Sequence, residues 1–374
     1  MKAPGEYFME GNEACAEAAM RAEVGLFAGY PITPASEIMN LLCKELPAVG
    51  GRFVQMEDEI ASMAVVTGAS WTGLRTMTAT SGPGFSLMQE NLGYAIMTET
   101  PCVLVNIQRA GPSTGQATKP GTGDMMQARF GSHGDYEIIA LTPNSVQEMY
   151  DMTIRAFNLA DRYRIPVILL ADEGVGHMRE KISIPEDVPI VKRRGPEPGE
   201  TDFFHTDRLD HVPPMPKFGD GFELMVTGST HKGDGTRDTA TYETQDKLVR
   251  RLAAKINDNR DEIEDWEEHF CHDADMVVLS YGSISRPAWG AVKKAREEGL
   301  KVGFFRPKTI WPSPEKRLKE IGMNSSVLLV ELSLRGYRME VERCIGTDGV
   351  TVYDRLNSLP SVKMIYDKIK EVLM

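Results

Sequence analysis

The sequence predicts an α/β protein built from two parallel-sheet units, the first larger than the second. From residue 12 to about residue 172, apolar segments of strand length alternate with segments of helical period, a pattern typical of a parallel sheet with crossover helices. A second alternation of the same kind begins near residue 275. With 374 residues, the chain is long enough for two domains and a connector.

Short apolar runs define the first unit, residues 1–182. The predicted strands cover residues 26–30, 52–56, 76–80, 102–108, 138–141 and 166–171. Asn12, Ser36 and Ser145 precede segments of helical period, and we expect their side chains to cap helices by accepting from free backbone N–H groups.

A polar stretch separates the two units. Residues 185–199 are rich in Pro, Glu and Arg, and periodicity stays weak to about residue 265, so residues 183–272 are predicted to be a connector with one or two marginal helices. The second unit, residues 273–374, is expected to form a separate layer. Its strands are predicted in MVVLSYG, VGFFRP, SVLLVELS and VTVYD, with helices over residues 285–298, 314–321 and 337–344.

Composition and charge narrow the classes of function. The net charge of -12 disfavours nucleic acid as a partner, and no apolar run reaches the length of a membrane span. The first residues lack a signal-peptide core, so we expect a cytoplasmic protein whose five cysteines stay reduced. No two cysteines form a CxxC pair, which predicts that any iron–sulfur cluster lies on another chain.

The motif GYPITPASEI places Pro31, Thr33 and Pro34 directly after the first predicted strand. Residues at the carboxyl ends of parallel strands face ligands, and a stiff loop with an exposed hydroxyl suits contact with a substrate. The alternative is a simple turn between strand and helix.

Three acids, Glu57, Asp58 and Glu59, precede an apolar helix in QMEDEIASMAVVTGAS. They could simply complement the positive end of that helix. Glu59, however, lies next to Ile60, Ala61 and the apolar residues that follow, so we expect it to be drawn toward their buried face. Burial would raise its proton affinity, as general acid/base chemistry requires.

Two later motifs offer weaker signals. The turn TATSGPGFSLMQEN could present backbone N–H groups to an anion, but it lacks the lysine of a P-loop and the GxGxxG spacing, so tight packing is the simpler interpretation. Arg109 ends the fourth predicted strand, before a long loop rich in Gly, Ser and Thr. Its guanidinium could bind a carboxylate or form a structural ion pair. His133 in that loop is a site residue or a turn residue.

Two segments imitate metal or cofactor sites. HFCHDAD, residues 269–275, contains several possible ligands but no regular ligand spacing, so we expect no metal there. Gly233-Asp234-Gly235 resembles part of a magnesium-diphosphate motif, yet it follows a polar segment and not a buried strand. A solvated loop is the favoured interpretation.

Taken together, the motifs resemble the alpha subunit of 2-oxoacid:ferredoxin oxidoreductases, especially the 2-oxoglutarate type. The resemblance covers most of residues 8–180 and continues more loosely through the second unit. It is carried by GNEACAEAAM, FAGYPITPASEI, QMEDEIASMAVVTGAS, TMTATSGPGFSLMQENLGYAIMTETPCVLVNIQR, GDMMQARFGSHGDYEIIALTP, ADEGVGHMRE and SYGSISRPAWGAVKKAREEGLKVGFFRPKTIWPSPE.

This resemblance implies a pyrimidine-type thiamine diphosphate-binding domain followed by a smaller transketolase C-terminal-like domain. It implies that Glu59 holds N1′ of the aminopyrimidine and that Thr33 and Arg109 face the carboxylate of the substrate. The implied cofactor-binding residues are Pro31, Ile32, Glu59, Ser81 and Gly82.

The resemblance also implies partners. A beta subunit would carry Mg²⁺ and an iron–sulfur cluster, further small subunits could join it, ferredoxin would accept electrons, and coenzyme A would be a co-substrate. Lys119, in GQATKPGTGD, departs from the family pattern and could pair with the distal carboxylate of 2-oxoglutarate or be an exposed charge. The alternatives are a branched-chain substrate such as 2-oxoisovalerate, or a noncatalytic assembly subunit.

Overall fold

The computed structural model describes all 374 residues. The strands are β1 (Gly5–Glu10), β2 (Val24–Gly29), β3 (Arg52–Gln55), β4 (Arg75–Thr80), β5 (Cys102–Ala110), β6 (Gln116–Pro120), β7 (Ile139–Leu141), β8 (Pro166–Asp172), β9 (Arg179–Ile184), β10 (Trp266–His269), β11 (Met276–Ser280), β12 (Val302–Pro307), β13 (Thr309–Trp311), β14 (Ser326–Glu331) and β15 (Val350–Asp354).

Helices connect most of these strands. They are α1 (Gly11–Arg21), α2 (Ser36–Glu45), α3 (Glu59–Ser70), α4 (Gly82–Leu87), α5 (Gln89–Met97), α6 (Met125–Phe130), α7 (Val146–Tyr163), α8 (Glu173–His177), α9 (Tyr242–Asn257), α10 (Arg260–Ile263), α11 (Ser285–Glu297), α12 (Glu315–Asn324), α13 (Arg338–Ile345) and α14 (Val362–Leu373). No helix is both long enough and apolar enough to cross a membrane.

The first sheet has the strand order β13-β7-β8-β5-β4-β2-β3, and β6 pairs with β5. Strands β2, β3, β4, β5, β7 and β8 run parallel. The six strands predicted for the first unit are therefore confirmed, each with its bounds within two residues. They are recognisable in the sequence because β4, β5 and β8 are buried almost throughout.

The predicted helix caps are partly wrong. Ser145 caps α7 by accepting from the backbone N–H of Glu148. Asn12, in contrast, is a buried residue inside α1, and its Nδ2 donates to the carbonyl oxygen of Pro34 at 2.8 Å. Ser36 is the first residue of α2, and not its cap. The side chain of Asn12 bonds to a distant part of the chain, and residue spacing alone does not distinguish this use from a local cap.

The second sheet has the order β10-β12-β11-β14-β15, in which only β10 is antiparallel. The prediction that the second unit forms a separate layer is wrong at β13, which pairs with β7 of the first sheet. Ile310 and Trp311 of this short strand are buried in a cluster that contains apolar residues of both units. Strand β13 joins the first sheet because these side chains fill the interface.

The connector contains one long helix, α9, and not only marginal ones. On its inner face Lys255 is buried and Arg251 is half-buried, and both pair with the buried carboxylate of Glu99, Lys255 at 2.7 Å. Because charged residues occupy positions that are normally apolar, the sequence pattern of an amphipathic helix is weakened. The ion pairs therefore explain why the hydrophobic periodicity of this segment predicted only a marginal helix.

Candidate functional site

Four neighbouring parallel strands, β3, β2, β4 and β5, end at the same edge of the first sheet. The residues after β2 include Thr33, the turn after β3 leads to Glu59, and β4 leads to Ser81. Arg109 is the penultimate residue of β5. The topology therefore brings the predicted site residues to one edge, where open α/β sheets bind ligands.

The buried acid of this edge is Glu59, the first residue of α3. It is 5% exposed, and burial raises the pKa of its carboxyl group. Glu57 is exposed, and Asp58 is the residue that caps α3, since its side chain accepts from the N–H of Ala61 at 2.7 Å. The helix end is therefore complete without Glu59.

The prediction that Glu59 is buried is confirmed, although of the neighbours expected to bury it (Ile60, Ala61, Met63, Ala64 and Val65) only Met63 is itself buried. Ile60 is 47% exposed, and the buried stripe of α3 consists of Glu59, Ser62, Met63, Val66, Thr67 and Ser70. These positions follow the helical period from Glu59 itself. Glu59 is therefore a member of the buried stripe, and not a residue pulled under it by its next neighbour.

The glycine-rich turn after β4 packs directly against Glu59. A Cβ atom on Gly84 would lie 2.3 Å from Oε1 of Glu59 and 2.1 Å from Oγ1 of Thr80. No real contact is that short, so only glycine leaves room for the carboxyl group. The Oγ atom of Ser81, at the start of the same turn, is buried without a hydrogen-bond partner. The turn thus packs closely against Glu59 and also contains a buried hydroxyl oxygen, Oγ of Ser81, that could bond to a ligand.

Arg109 and Thr33, predicted to act together, are in contact. Nη1 of Arg109 donates to the carbonyl oxygen of Thr33 at 2.6 Å. Arg109 is 9% exposed, and its Nε is buried without a partner. Thr33 is exposed. The guanidinium group therefore retains donors for an anion after it has fixed the backbone of the loop after β2.

Asp124 is a residue of this edge that the sequence interpretation missed. Its Oδ2 accepts from Nδ2 of Asn106 at 2.9 Å, and its backbone N–H donates to Oε1 of Gln108 at 3.1 Å. A Cβ atom on Gly82 would lie 3.9 Å from the same Oδ2. Burial raises the pKa of Asp124, although Asn106 and Arg109 oppose the shift. No sequence signal identified it, because it follows a long loop.

Part of the predicted long loop after Arg109 is a strand. Its residues 116–120 form β6, which returns antiparallel to β5 and pairs Pro120 with Arg109. Lys119 is exposed on β6. His133 is also exposed, and its nearest charged partner is Glu90 at 3.8 Å. The return of β6 is what brings Asp124 back to the sheet edge.

The remaining candidates are placed as follows. Pro31 is exposed and Ile32 is partly buried, both in the loop after β2. His269 contacts Glu267 at 2.8 Å and stacks on Trp289. In the Gly233-Asp234-Gly235 loop, Asp234 accepts from the N–H of Thr236. The structure contains no group of three or more His, Cys, Asp or Glu side chains arranged to hold a metal ion.

Comparison with known proteins gives consistent matches. The family model described as pyruvate flavodoxin/ferredoxin oxidoreductase, thiamine diphosphate-binding, matches residues 17–251. The model described as pyruvate:ferredoxin oxidoreductase core domain II matches residues 274–369.

Individual relatives agree with these models. The 2-oxoglutarate synthase subunit KorA of Methanocaldococcus jannaschii is 53% identical over 93% of this chain and 94% of its own length. The ketoisovalerate oxidoreductase subunit VorB of Methanothermobacter marburgensis is 35% identical over 97% of both chains.

A solved structure is also similar. It is the 2-oxoglutarate:ferredoxin oxidoreductase from Magnetococcus marinus with 2-oxoglutarate, coenzyme A and succinyl-CoA bound, and it matches with a TM-score of 0.94 and 34% identity. The match covers 99% of this chain and 65% of that chain, so this chain spans about two thirds of its length.

Proposed function

Because this chain belongs to the 2-oxoacid:ferredoxin oxidoreductase family, we propose that it is the alpha-type subunit of an enzyme that converts 2-oxoglutarate to succinyl-CoA. In this reversible reaction, 2-oxoglutarate and coenzyme A yield succinyl-CoA and carbon dioxide. The thiol proton is released, and a pair of electrons passes one at a time to ferredoxin. The observation that carries the proposal is Glu59, a buried acid at the same sheet edge as Arg109.

The chain's residues fit the aminopyrimidine half of thiamine diphosphate. Because Gly84 has no side chain, the turn packs against the carboxyl group of Glu59 without displacing it, and Ser81 offers a buried Oγ without a partner. When bound, thiamine diphosphate supplies a nucleophilic C2 carbon that adds to the 2-oxo carbonyl group. Glu59 would hold a proton at N1′, for which its raised pKa suits it. Pro31, Ile32 and Gly82 are proposed as further cofactor contacts.

Arg109 and Thr33 are proposed to bind the 1-carboxylate of the substrate. The unused donors of Arg109 suit a carboxylate, and the loop that it anchors presents the exposed Thr33. Lys119 is proposed to pair with the distal carboxylate of 2-oxoglutarate, since it precedes Pro120, the residue paired with Arg109. A branched-chain 2-oxoacid has no second carboxylate for this lysine.

A partner subunit is proposed to complete the site. The exposed apolar residues Ile60, Leu87 and Phe130 are 47%, 46% and 60% exposed. Helices α4 and α6, which carry the last two, are joined by a hydrogen bond from Gln127 to Ser86 at 2.9 Å. Exposed apolar residues grouped in this way mark protein interfaces. The proposed beta subunit would cover them and supply Mg²⁺, the diphosphate ligands and an iron–sulfur cluster, and further small subunits could join.

An anaerobic assay of the purified native complex tests the proposal. Ferredoxin reduction would be followed with 2-oxoglutarate, 2-oxoisovalerate and pyruvate, each with coenzyme A, and we expect the highest kcat/KM for 2-oxoglutarate. Preference for 2-oxoisovalerate would support the branched-chain alternative. A complex that reduces ferredoxin equally well without this chain would identify an assembly subunit.

A matched pair of lysine variants sharpens the assignment of substrate. Lys119→Met should lower the ratio of kcat/KM for 2-oxoglutarate to that for 2-oxoisovalerate by about tenfold, as expected for one lost charge pair near a partly buried site. Lys181→Met, which changes an exposed lysine of β9, is the control and should leave the ratio unchanged. An unchanged ratio in Lys119→Met would show that this lysine is only an exposed charge.

A further inference from the structure

The second sheet has a crevice of its own. Strands β12 and β14 lie on either side of β11, so the chain changes direction across the sheet between β11 and β14. Open α/β sheets bind ligands at the carboxyl ends of the strands at such a point. In this chain the carboxyl ends of β11 and β14 carry Tyr281 and Glu331, and Gly336 packs between them.

A segment of the first unit, residues 120–125, occupies this crevice. The backbone N–H of Thr122 donates to the carbonyl oxygen of Leu332 at 3.1 Å. The hydroxyl of Thr122 lies 3.5 Å from that of Tyr281. Nε1 of Trp311 donates to the carbonyl oxygen of Met125 at 2.8 Å. The second unit therefore contacts this segment on both sides of Asp124.

Glu331 holds in place the residues of the crevice that contact residues 120–125. It is fully buried, and its Oε2 accepts from the hydroxyl of Tyr281 at 2.6 Å and from the N–H of Tyr337 at 2.8 Å. Since the hydroxyl hydrogen of Tyr281 is used there, the tyrosine oxygen is left to accept from Thr122. A Cβ atom on Gly336 would lie 2.9 Å from Oε2 and 2.8 Å from the carbonyl oxygen of Thr122. The packing leaves no free space.

The other side of the same segment touches the candidate site. Pro120 pairs with Arg109, and a Cβ atom on Gly121 would lie 2.9 Å from the carbonyl oxygen of Arg109. Asp124 is bonded to Asn106, the residue of β5 that pairs with Thr80. A shift of this segment would therefore move both the backbone beside Arg109 and the carboxyl group of Asp124.

We propose that Glu331 is a positioning residue of the second unit, which acts through Tyr281 and Thr122 to hold residues 120–125 against the site. The second unit then uses its ligand crevice to bind a segment of its own chain. The kinetic consequence of this inference rests on the proposed function, whereas the structural consequence does not. Losing the contact should loosen the segment and weaken the binding of 2-oxoacid, with a smaller effect on turnover.

Hydrogen exchange in the purified complex tests the structural part. Glu331→Ala should speed exchange in peptides covering residues 116–126 by at least about tenfold, the change expected for a lost buried hydrogen bond. Glu331→Gln keeps the acceptor oxygen and should restore slow exchange. Glu340→Ala is the matched control, because Glu340 is also buried in the second unit but pairs with Arg343. Unchanged exchange in Glu331→Ala would overturn the inference.

Tyr281→Phe provides a milder variant in case Glu331→Ala fails to assemble. It removes only the hydroxyl that links Glu331 to Thr122 and should speed exchange in the same peptides. In both variants the KM for the 2-oxoacid should rise several-fold more than kcat falls. Faster exchange spread evenly over β11 and β14, with KM unchanged, would show a merely structural role. If the parent complex shows no 2-oxoacid activity, the proposed function fails while the exchange experiment still decides this inference.

Discussion

Each of the two large sheets has a buried carboxyl group that lies against a glycine at its carboxyl edge. In the first sheet Glu59 packs on Gly84, and in the second Glu331 packs on Gly336. Burial raises the pKa of both carboxyl groups. They differ in their partners, because Glu331 accepts from two donors of its own unit and Glu59 has no hydrogen bond to another side chain.

This difference separates two uses of the same arrangement. A buried carboxyl group with one oxygen that accepts from two donors of the chain, as Oε2 of Glu331 does, is held in one geometry. One that is left without a side-chain partner is available to an external group. A raised pKa alone therefore does not identify a catalytic acid, and the hydrogen-bond partners of the group decide its role.

The strongest test of the comparison is Glu59→Gln. Glutamine keeps the shape of the side chain but cannot exchange a proton with N1′, so C2 proton exchange on thiamine diphosphate in the complex should slow by about 100-fold or more. Glu57→Gln and Asp58→Asn are the controls, and NMR of the exchanging C2 proton is the measurement. Near-normal exchange in Glu59→Gln, or equal losses in all three variants, would remove the distinction between Glu59 and its helix-end neighbours.

A pair of alanine substitutions compares the two glycines directly. Gly84→Ala must displace the carboxyl group of Glu59 or the side chain of Thr80, and we expect C2 exchange to slow by more than about tenfold. Gly336→Ala should lower the unfolding temperature but leave C2 exchange near the parent rate. Both are measured by NMR and thermal unfolding. If C2 exchange slowed equally in the two variants, the glycine of the second sheet would affect the chemistry as much as that of the first, and the proposed division between a catalytic and a positioning carboxyl group would be wrong.

Arg109→Lys tests whether the carboxyl edge of the first sheet binds the carboxylate of the substrate in addition to the proposed cofactor. Lysine is a point charge and cannot use several donors in one plane, so kcat/KM for the 2-oxoacid should fall by about tenfold. Binding of thiamine diphosphate to the complex, measured by calorimetry, should change little. Lower stability with unchanged substrate saturation would make Arg109 a structural residue.

The smallest expected effect concerns the pH dependence of Glu331. Burial raises its pKa to about 7 in the folded chain, whereas an exposed Glu has a pKa of roughly 4.3. Between these values the unfolded chain has lost a proton that the folded chain keeps, so the free energy of unfolding falls as pH rises, by up to about 1.4 kcal/mol per pH unit.

Glu331→Gln removes this titration without removing the acceptor oxygen. Its free energy of unfolding relative to the parent should therefore rise from about pH 5 to about pH 7. Chemical denaturation of both proteins across this range is the measurement. A constant difference between them would show that the pKa of Glu331 is not raised.

A large part of the fold and of the site follows from the sequence alone. The alternation of apolar segments predicted the six parallel strands of the first sheet, because buried parallel strands are continuous apolar runs, but it missed β1, β6 and β9. The position of Glu59 at the start of an apolar helix predicted its burial, and the ends of two strands placed Thr33 and Arg109 at one edge. Each of these features depends on local conformation, which the sequence pattern records.

The tertiary structure alone decided which distant segments meet. Asp124 reaches the site only because β6 turns back along β5, and β13 joins the first sheet although its neighbours in sequence belong to the second. The link from Glu331 through Tyr281 to Thr122 spans the two units. Periodicity shows which face of an element is buried, whereas the partner that buries it depends on chain closure and packing between units.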